Sequence, residues 1–444
     1  MRSIIGFGLG CSLLLACSDG GGGVPDAGSD APGACSASSS GSLVVNVHGL
    51  PASVNGIVAV TGAAGDQSVH ATQTLTLAGG NYTIAATRVV VDDPFARAVY
   101  DATVSADTVC VGGAPVTVDV TYTMIPTSNK LWAINGNGGA GSLLGFASSS
   151  LASSGSPSAT VATNGPAGRS IAFDRDGNLW AFGATTGDAT LVRFSAASLA
   201  TGGAKTPDRS INVPSIACIP SGSELAFDKA GNLWMSAACD HSVSRLTPAM
   251  LAASGDATPD VKLGGLGAPT GLAFDTSGAL FVGDNDANRV HRFDAGQLGA
   301  STSSPAMSLD VVTPNPSSIE IRPDLLAFDH TGALWVTDFG GNTFSKLAQA
   351  DLSGTGTPTA IASVVITVGA AALIDSVAFD ESGGLWMTYS AGNLARLDPS
   401  QLGASTNAGS PTTPMTIISS PDVGYAGAIA FFAPPSNIPI FAQP

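Results

Sequence analysis

One short unit recurs five times in this chain of 444 residues. Each copy reads aliphatic-Ala-Phe-Asp, then a gap that contains Gly, then Leu-Trp or Leu-Phe. Its phenylalanines are Phe173, Phe227, Phe274, Phe328 and Phe379, so successive copies lie 47 to 54 residues apart. Self-similarity with a period of about 50 residues predicts a repeat architecture in which each copy is one supersecondary unit.

The residue types within the unit predict two strands joined by a tight turn. Asp starts the turn because its carboxylate accepts hydrogen bonds from the turn's own amides, and Gly supplies the positive φ. Later apolar runs, such as residues 242–246 and 260–263, predict a third and a fourth strand. Four strands in about 50 residues, repeated six times, predict a β-propeller.

The two ends of the repeat region carry complementary halves of the unit. Trp132 stands in the register of the other tryptophans but has no Phe-Asp half before it. The missing half appears near the other end, as Ala428 to Phe431. We therefore predict a propeller over residues 128–433 whose last strand completes the first blade and leaves no open sheet edge, with a tail at 434–444.

The segment 41–124 alternates apolar and polar residues with a period of two, and Gly-rich or Pro-containing turns separate the runs. This pattern predicts a small β-sandwich of about seven strands. Leu50-Pro51 and the run 80–83 resemble immunoglobulin-like or prealbumin-like modules of bacterial surface lipoproteins. The predicted fold class is therefore all-β, a small β-sandwich followed by a six-bladed β-propeller.

The N-terminus has the features of an export signal. Residues 1–16 hold one Arg and an apolar run too short to span a membrane. Residues 14–17 resemble the bacterial lipoprotein box, which implies acylation of Cys17 and a membrane anchor. Ser18 after it implies the outer membrane of a Gram-negative cell envelope. An ordinary secretory signal with an accidental cysteine is the alternative, and residues 17–40, rich in Gly, Ser and Asp, read as a flexible tether.

Charge excludes one class of partner. Only 17 Lys and Arg stand against 33 Asp and Glu, a net charge of −16. No basic stripe is left to neutralise phosphates, so we expect no nucleic-acid binding.

The repeat resembles the NHL type and, in Gly-Asn-Leu-Trp, the six-bladed propellers of virginiamycin B lyase and the gluconolactonase group. That resemblance implies a propeller fold and, as one alternative, a metal-dependent lactonase or lyase. The lyase pattern requires a His beside a Glu and a metal, and the lactonase pattern a Glu in the first blade. Neither pattern can be placed on this chain residue by residue.

Acidic residues in the predicted loops of one propeller face are the candidate ligand site. Glu224, Asp324 and Asp375 are expected just before the inner strands, beside the central channel, where three carboxylates could hold Ca²⁺ or Mg²⁺. His241, Asp284 and Asp286 fall in loops predicted on the same face. Such residues also serve simply to cap turns, so both interpretations stay open.

An exported chain meets an oxidising compartment, which favours disulfides. In propeller topology Cys218 and Cys239 lie on loops of the same face, so we predict that they pair. Cys35 and Cys110 would then pair by elimination.

No catalytic motif appears in the sequence. We therefore expect a cell-envelope protein that binds or scaffolds a protein or glycan partner. A metal-dependent lactonase or lyase, and a structural role without a ligand, are the alternatives.

Overall fold

The structure is a computed structural model, and it describes residues 35, 39–62, 65–93, 95–135, 141–165, 168, 170–183, 189–216, 223–313, 321–354, 358–366, 374–389, 392–424 and 426–435. The fold is all-β, as predicted. Its only α-helices among the described residues are two single turns, α1 Ser148–Leu151 and α2 Pro248–Leu251. None of the helices in this part of the chain is long and apolar enough to cross a membrane.

The N-terminal unit contains nine strands, two more than the pattern suggested, because short strands flank the turns. They are β1 Gly41–His48, β2 Val58–Gly62, β3 Gln67–Val69, β4 Gln73–Leu77, β5 Gly80–Ala86, β6 Val89–Val91, β7 Ala98–Val104, β8 Thr108–Val111 and β9 Val116–Met124.

Two sheets make up this unit, with strand orders β4-β1-β9-β7-β6 and β3-β2-β5-β8. Alternate residues of both sheets, such as Val45 and Val118 on one and Val60 and Tyr82 on the other, belong to one hydrophobic cluster. The period-two pattern therefore buries one face of each sheet. Its assignment to an immunoglobulin-like or prealbumin-like family stays a prediction.

The remaining strands build the propeller. They are β10 Lys130–Asn135, β11 Gly141–Ala147, β12 Val161–Gly165, β13 Ile171–Phe173, β14 Leu179–Gly183, β15 Ala189–Phe194, β16 Arg209–Val213, β17 Leu225–Phe227, β18 Leu233–Ala237, β19 Ser242–Leu246, β20 Gly255–Asp256, β21 Val261–Leu263, β22 Pro269–Phe274, β23 Leu280–Asp284, β24 Arg289–Phe293, β25 Met307–Asp310, β26 Pro323–Phe328, β27 Leu334–Asp338, β28 Thr343–Leu347, β29 Ala362–Val365, β30 Ile374–Phe379, β31 Leu385–Tyr389, β32 Asn393–Leu397, β33 Thr416–Ile418 and β34 Ala426–Phe431.

These strands form six blades, each built on four antiparallel strands, and in blades 2 to 6 these four follow sequence order from the inner strand outward. Blade 2 carries the extra strand β20, parallel to its outer strand β16. Blade 1 is composite, because β34 supplies its inner strand and pairs with β10, with Leu131 opposite Phe431 and Ala133 opposite Ile429. The ring closure predicted from the split repeat is therefore confirmed.

The Asp of each repeat does more than start the turn. In blade 2, Oδ1 of Asp174 accepts from the amides of Asp176 and Asn178, and Gly177 has a φ of +76°. Oδ2 of the same Asp174 accepts from Nε1 of Trp180 at 3.0 Å. The same Trp–Asp hydrogen bond joins strands in blades 3, 5 and 6. It explains why Asp and Trp recur together, since a buried indole N–H needs an acceptor.

The N-terminal unit contacts the propeller face that carries these turns. Arg97, only 7% exposed, donates to the carbonyl of Pro434 at 2.7 Å and pairs with Glu381. Thr127 donates to the carbonyl of Gly177 at 2.7 Å. Because each inner strand ends at such a turn, the unit covers the end of the propeller opposite to where the inner strands begin.

Candidate functional site

A channel of about 150 Å³ runs between the inner strands of the six blades. Every inner strand contributes one Ala to its lining, and these small side chains leave room along the axis: Ala172, Ala226, Ala273, Ala327, Ala378 and Ala430. Pro434 and Pro435 line the channel as well, and Arg97 of the N-terminal unit holds the carbonyl of Pro434. We call the opposite end, where the inner strands begin, the mouth of the channel.

Polar side chains at the start of three inner strands connect neighbouring blades. Oγ of Ser170 accepts from the amide of Leu225 in the next blade at 2.9 Å. Oγ of Ser376 accepts in the same way from Ile429 at 3.0 Å. Glu224 occupies the corresponding position of blade 3.

Glu224 makes the same connection with a carboxyl group. Its Oε2 accepts from the amide of Leu272 in blade 4 at 3.0 Å, and its own amide donates to Oγ of Ser236 at 2.7 Å. Serine provides the acceptor elsewhere in the ring, so the blade connection does not require a group that can ionise. Glu224 thus places an ionisable carboxyl group at the wall of the channel, although the blade connection itself does not require one.

The environment of Glu224 favours its protonated form. Burial raises its pKa to about 8, with a further increase from the charge of Asp324, and the hydrogen bond from Leu272 lowers it only in part. Burial disfavours the charged form of a carboxyl, and a nearby like charge acts in the same direction. At neutral pH Glu224 can therefore donate a hydrogen bond or release a proton when a positive charge approaches.

Asp324 is the second carboxyl of the mouth with a raised pKa. Burial and then the charge of Asp375 raise its pKa to about 7, against a hydrogen bond from Thr270. Asp324 is 9% exposed, and its Oδ1 has no hydrogen-bond partner among the described residues. We expected Asp324 and Asp375 just before their strands. Both instead lie inside β26 and β30, because each strand has a register irregularity at its start.

Close packing of blade 4 against blade 5 fixes the position of Asp324. A Cβ on Gly271 would lie 2.3 Å from the carbonyl oxygen of Asp324, and one on Gly283 would lie 2.7 Å from it. Only glycine permits this approach. The two glycines thus bring the inner strand of blade 5 close to that of blade 4.

The predicted divalent metal site has no matching cluster among the described residues. No group of three or more His, Cys, Asp or Glu side chains in this part of the chain is placed to hold a metal ion. Of the three predicted ligands, only Glu224 lines the channel. The expectation of Ca²⁺ or Mg²⁺ stays a prediction.

Asp284 was predicted in a loop, but it lies at the end of a strand. It is the last residue of β23 and is fully buried, because its carboxylate accepts from the amides of Gly267, Ala268 and Ala287. Burial acts to raise its pKa, but hydrogen bonds from His291 and these amides lower it to about 2. Asp284 therefore stabilises loops as an anion and is not available to a ligand.

The other two predicted loop residues remain near the surface. Asp286 is exposed in the loop after β23, and His241 is exposed with a φ of +51° and contacts the carbonyl of Gly267. Nothing in the structure assigns either residue a ligand, so their roles stay predictions.

A buried group of His, Asp and Ser side chains on blade 4 was not predicted from the sequence. Nε2 of His291 lies 3.2 Å from Oδ2 of Asp284, and its Nδ1 lies 2.7 Å from Oγ of Ser308. His291 and Ser308 are directly opposite each other on adjacent strands. The available signal in the sequence was the position of His291, which falls on the buried face of the strand β24.

One of the two predicted disulfides is present among the described residues. Cys35 and Cys110 are bonded, with their Cα atoms 5.5 Å apart. Cys239 is also in a disulfide, but Cys218 lies outside the described residues, so the pairing of these two stays a prediction. Cys17 and the signal segment are outside the described residues as well.

No protein-family model matches the chain, and no curated protein matches it in sequence. Among solved structures, virginiamycin B lyase from Staphylococcus aureus is similar with a TM-score of 0.36 and 14% identity, over 53% of this chain and 67% of that one. A structure described as streptogramin B lyase gives a TM-score of 0.38 and 13% identity, over 69% and 86%.

A protein from Lactobacillus plantarum gives a TM-score of 0.44 and 13% identity, over 66% of this chain and 82% of that one. These similarities are too low to bring any activity to this chain. The β-propeller architecture rests on the six blades of the structure itself.

Proposed function

We propose that this protein is a lipid-anchored cell-envelope propeller that binds a partner at the mouth of its central channel, the partner being a protein or a glycan that inserts a small group. The observation that carries this proposal is the carboxyl of Glu224. It stands where the equivalent blade connections use Ser170 and Ser376. A buried ionisable group without a structural need is typical of functional sites, and rigid propeller scaffolds present ligands to one face.

Two features support the envelope part of the proposal. The segment 1–17 resembles a lipoprotein signal, and the Cys35–Cys110 disulfide is typical of exported proteins. Strands β1 and β9 are parallel, with Leu43 opposite Val116, so the chain enters the N-terminal unit at the end remote from the propeller. The nine residues of β9 span about 30 Å, which would hold the channel mouth away from a membrane surface.

No feature of the described residues favours the metal-dependent lactonase or lyase alternative, because none of them forms a cluster of three metal-ligating side chains. Binding is therefore the function that the geometry supports best.

A thermal-shift panel of amines, carboxylates, sugars and short peptides tests the proposal, with wild type compared to Glu224→Gln. Gln keeps the length and an acceptor oxygen for the Leu272 amide but cannot ionise. Asp351→Asn removes an exposed charge outside the candidate site and serves as the matched control. We expect at least one class to raise the melting temperature of wild type and of the control but not of Glu224→Gln. Shifts that are absent, or equal in all three proteins, would refute a site at the mouth.

A further inference from the structure

The charges around the two mouth carboxyls are mostly negative. Asp324 acts on Glu224, while Asp375 and Asp338 act on Asp324, and Arg322 is the opposing positive charge. Arg322 is itself engaged, because it donates to Oδ1 of Asn285 at 2.5 Å and stacks on the ring of Phe339 at 4.7 Å. Within the described part of the chain the mouth thus holds more acid than base, and repulsion between these acids is relieved when a cation binds.

One of these carboxyls also has an unused acceptor. Asp324 is 9% exposed, and its Oδ1 is without a hydrogen-bond partner within the described ranges. A buried acceptor that has lost water and gained no donor costs free energy. Asp324 does not itself line the channel, so its effect on a ligand there is electrostatic: it raises the pKa of Glu224 and favours a positive charge beside that residue.

Below the mouth the channel becomes apolar. Among the residues that line it are Leu225, Leu272, Val377 and Ile429, and the far end is lined by Pro434 and Pro435. Its volume of about 150 Å³ is several times the roughly 30 Å³ of a water molecule in the liquid. A short hydrocarbon chain of four or five heavy atoms therefore fits, and its burial is favourable.

We propose that the channel binds an aliphatic ammonium group, with the hydrocarbon stem among the apolar residues and the ammonium against Glu224, which is the one of the two mouth carboxyls that lines the channel. This inference rests on the proposed function and names the chemical class of its ligand. An ammonium donates three hydrogen bonds and accepts none, so it can pair with the carboxylate form of Glu224, which its positive charge favours. The chain's net charge of −16 attracts such a cation from solution and repels carboxylates.

Other ligand classes fit the mouth less well. A carboxylate would add to the repulsion between the acids, and a sugar would place hydroxyls against the apolar lining. A divalent ion needs several oxygen ligands, and the described residues bring no three such side chains together. The ammonium could come from a free aliphatic amine or from a lysine side chain of a partner protein, and both have the same chemistry.

Calorimetric titration of the full chain with n-butylammonium chloride is the direct test, with n-butanol, n-butyrate, glucose and CaCl₂ as comparison probes. We expect n-butylammonium to bind and each comparison probe to bind at least tenfold more weakly. Glu224→Gln should lose about tenfold or more in affinity, the value of one charge-assisted hydrogen bond, while Asp351→Asn, an exposed residue outside the candidate site, stays within twofold. A Gly-Gly-Lys-Gly-Gly peptide and its acetyl-lysine form distinguish a lysine side chain from a free amine as the source of the ammonium. If the lysine peptide binds at least as strongly as n-butylammonium, the ligand is a protein partner. If the lysine peptide binds more weakly, the ligand is a free amine.

Three results would overturn the inference. If n-butanol or the acetyl-lysine peptide binds as well as its charged counterpart, the site does not select the ammonium group. If butyrate, glucose or Ca²⁺ binds and n-butylammonium does not, the site exists but its ligand class is wrong, and the proposed function survives. If no probe binds and the panel gives no shift in melting temperature, both proposals fail together.

Discussion

Replacing Glu224 by Gln should make the propeller more stable at alkaline pH and leave it unchanged at acid pH. The pKa of Glu224 is raised from 4.5 to about 8 in the folded protein. Between these values the folded state keeps a proton that the unfolded state has lost, so the free energy of unfolding of wild type falls as pH rises. Gln cannot ionise and avoids this loss.

The magnitude follows from the same two values. The difference between 4.5 and about 8 corresponds to about 5 kcal/mol at 1.36 kcal/mol per pH unit. Glu224 is half-buried at the channel wall, and solvent screening reduces the effect, so we expect about 2 kcal/mol at pH 8. At pH 4 the two proteins should have equal stability because Glu224 is protonated in both states.

Differential scanning calorimetry of wild type and Glu224→Gln at pH 4, 6 and 8 measures this effect. The melting temperature of the variant should exceed that of wild type by a few degrees at pH 8 and match it at pH 4. Asp286→Asn, on the same face but exposed, should show no such pH dependence. A Glu224→Gln difference that is constant across the three pH values would refute the argument that burial holds the proton.

Three further predictions concern the architecture and the anchor. Deleting residues 426–444 removes β34 and leaves the edge of β10 unpaired, so the chain should aggregate or lose cooperative unfolding; a truncated chain that melts like the full one would show that closure is dispensable. Cys110→Ser opens a disulfide with a sequence separation of 75, which should cost at most about 4.5 kcal/mol and lower the unfolding transition of the N-terminal unit; an unchanged calorimetric profile would contradict this. Cys17→Ser should move the protein from the membrane fraction to the soluble fraction, and unchanged detergent partitioning would exclude a lipid anchor at this residue.

The blades could be predicted from the sequence because the repeat is periodic and its turn chemistry is local. Asp174 and Gly177 specify a turn within a few residues, and the split unit at Trp132 and Phe431 specifies closure by register alone. The Trp–Asp hydrogen bond was not predicted. A hydrogen bond between two side chains across a turn depends on their rotamers, and the spacing of residues in the sequence does not determine those rotamers.

The site was only partly predictable, because it depends on contacts between blades. Glu224 lines the channel, but its hydrogen bond to Leu272 of the next blade has no signal in the sequence. Register irregularities moved Asp324 into its strand, and amide donors from a neighbouring loop buried Asp284. Residues far apart in sequence set these environments, which is why pattern and spacing could not resolve them.

The central claim is that Glu224 holds its proton near neutral pH and releases it to solvent when a cation binds beside it. The chain contains only three glutamates, Glu224, Glu320 and Glu381, so labelling Glu with ¹³C at Cδ gives three carboxyl resonances. An NMR pH titration should show one resonance with a pKa of about 8 that is missing from Glu224→Gln and that moves to lower pH when n-butylammonium is added. If no glutamate resonance titrates above pH 6, the electrostatic account of the channel mouth is wrong.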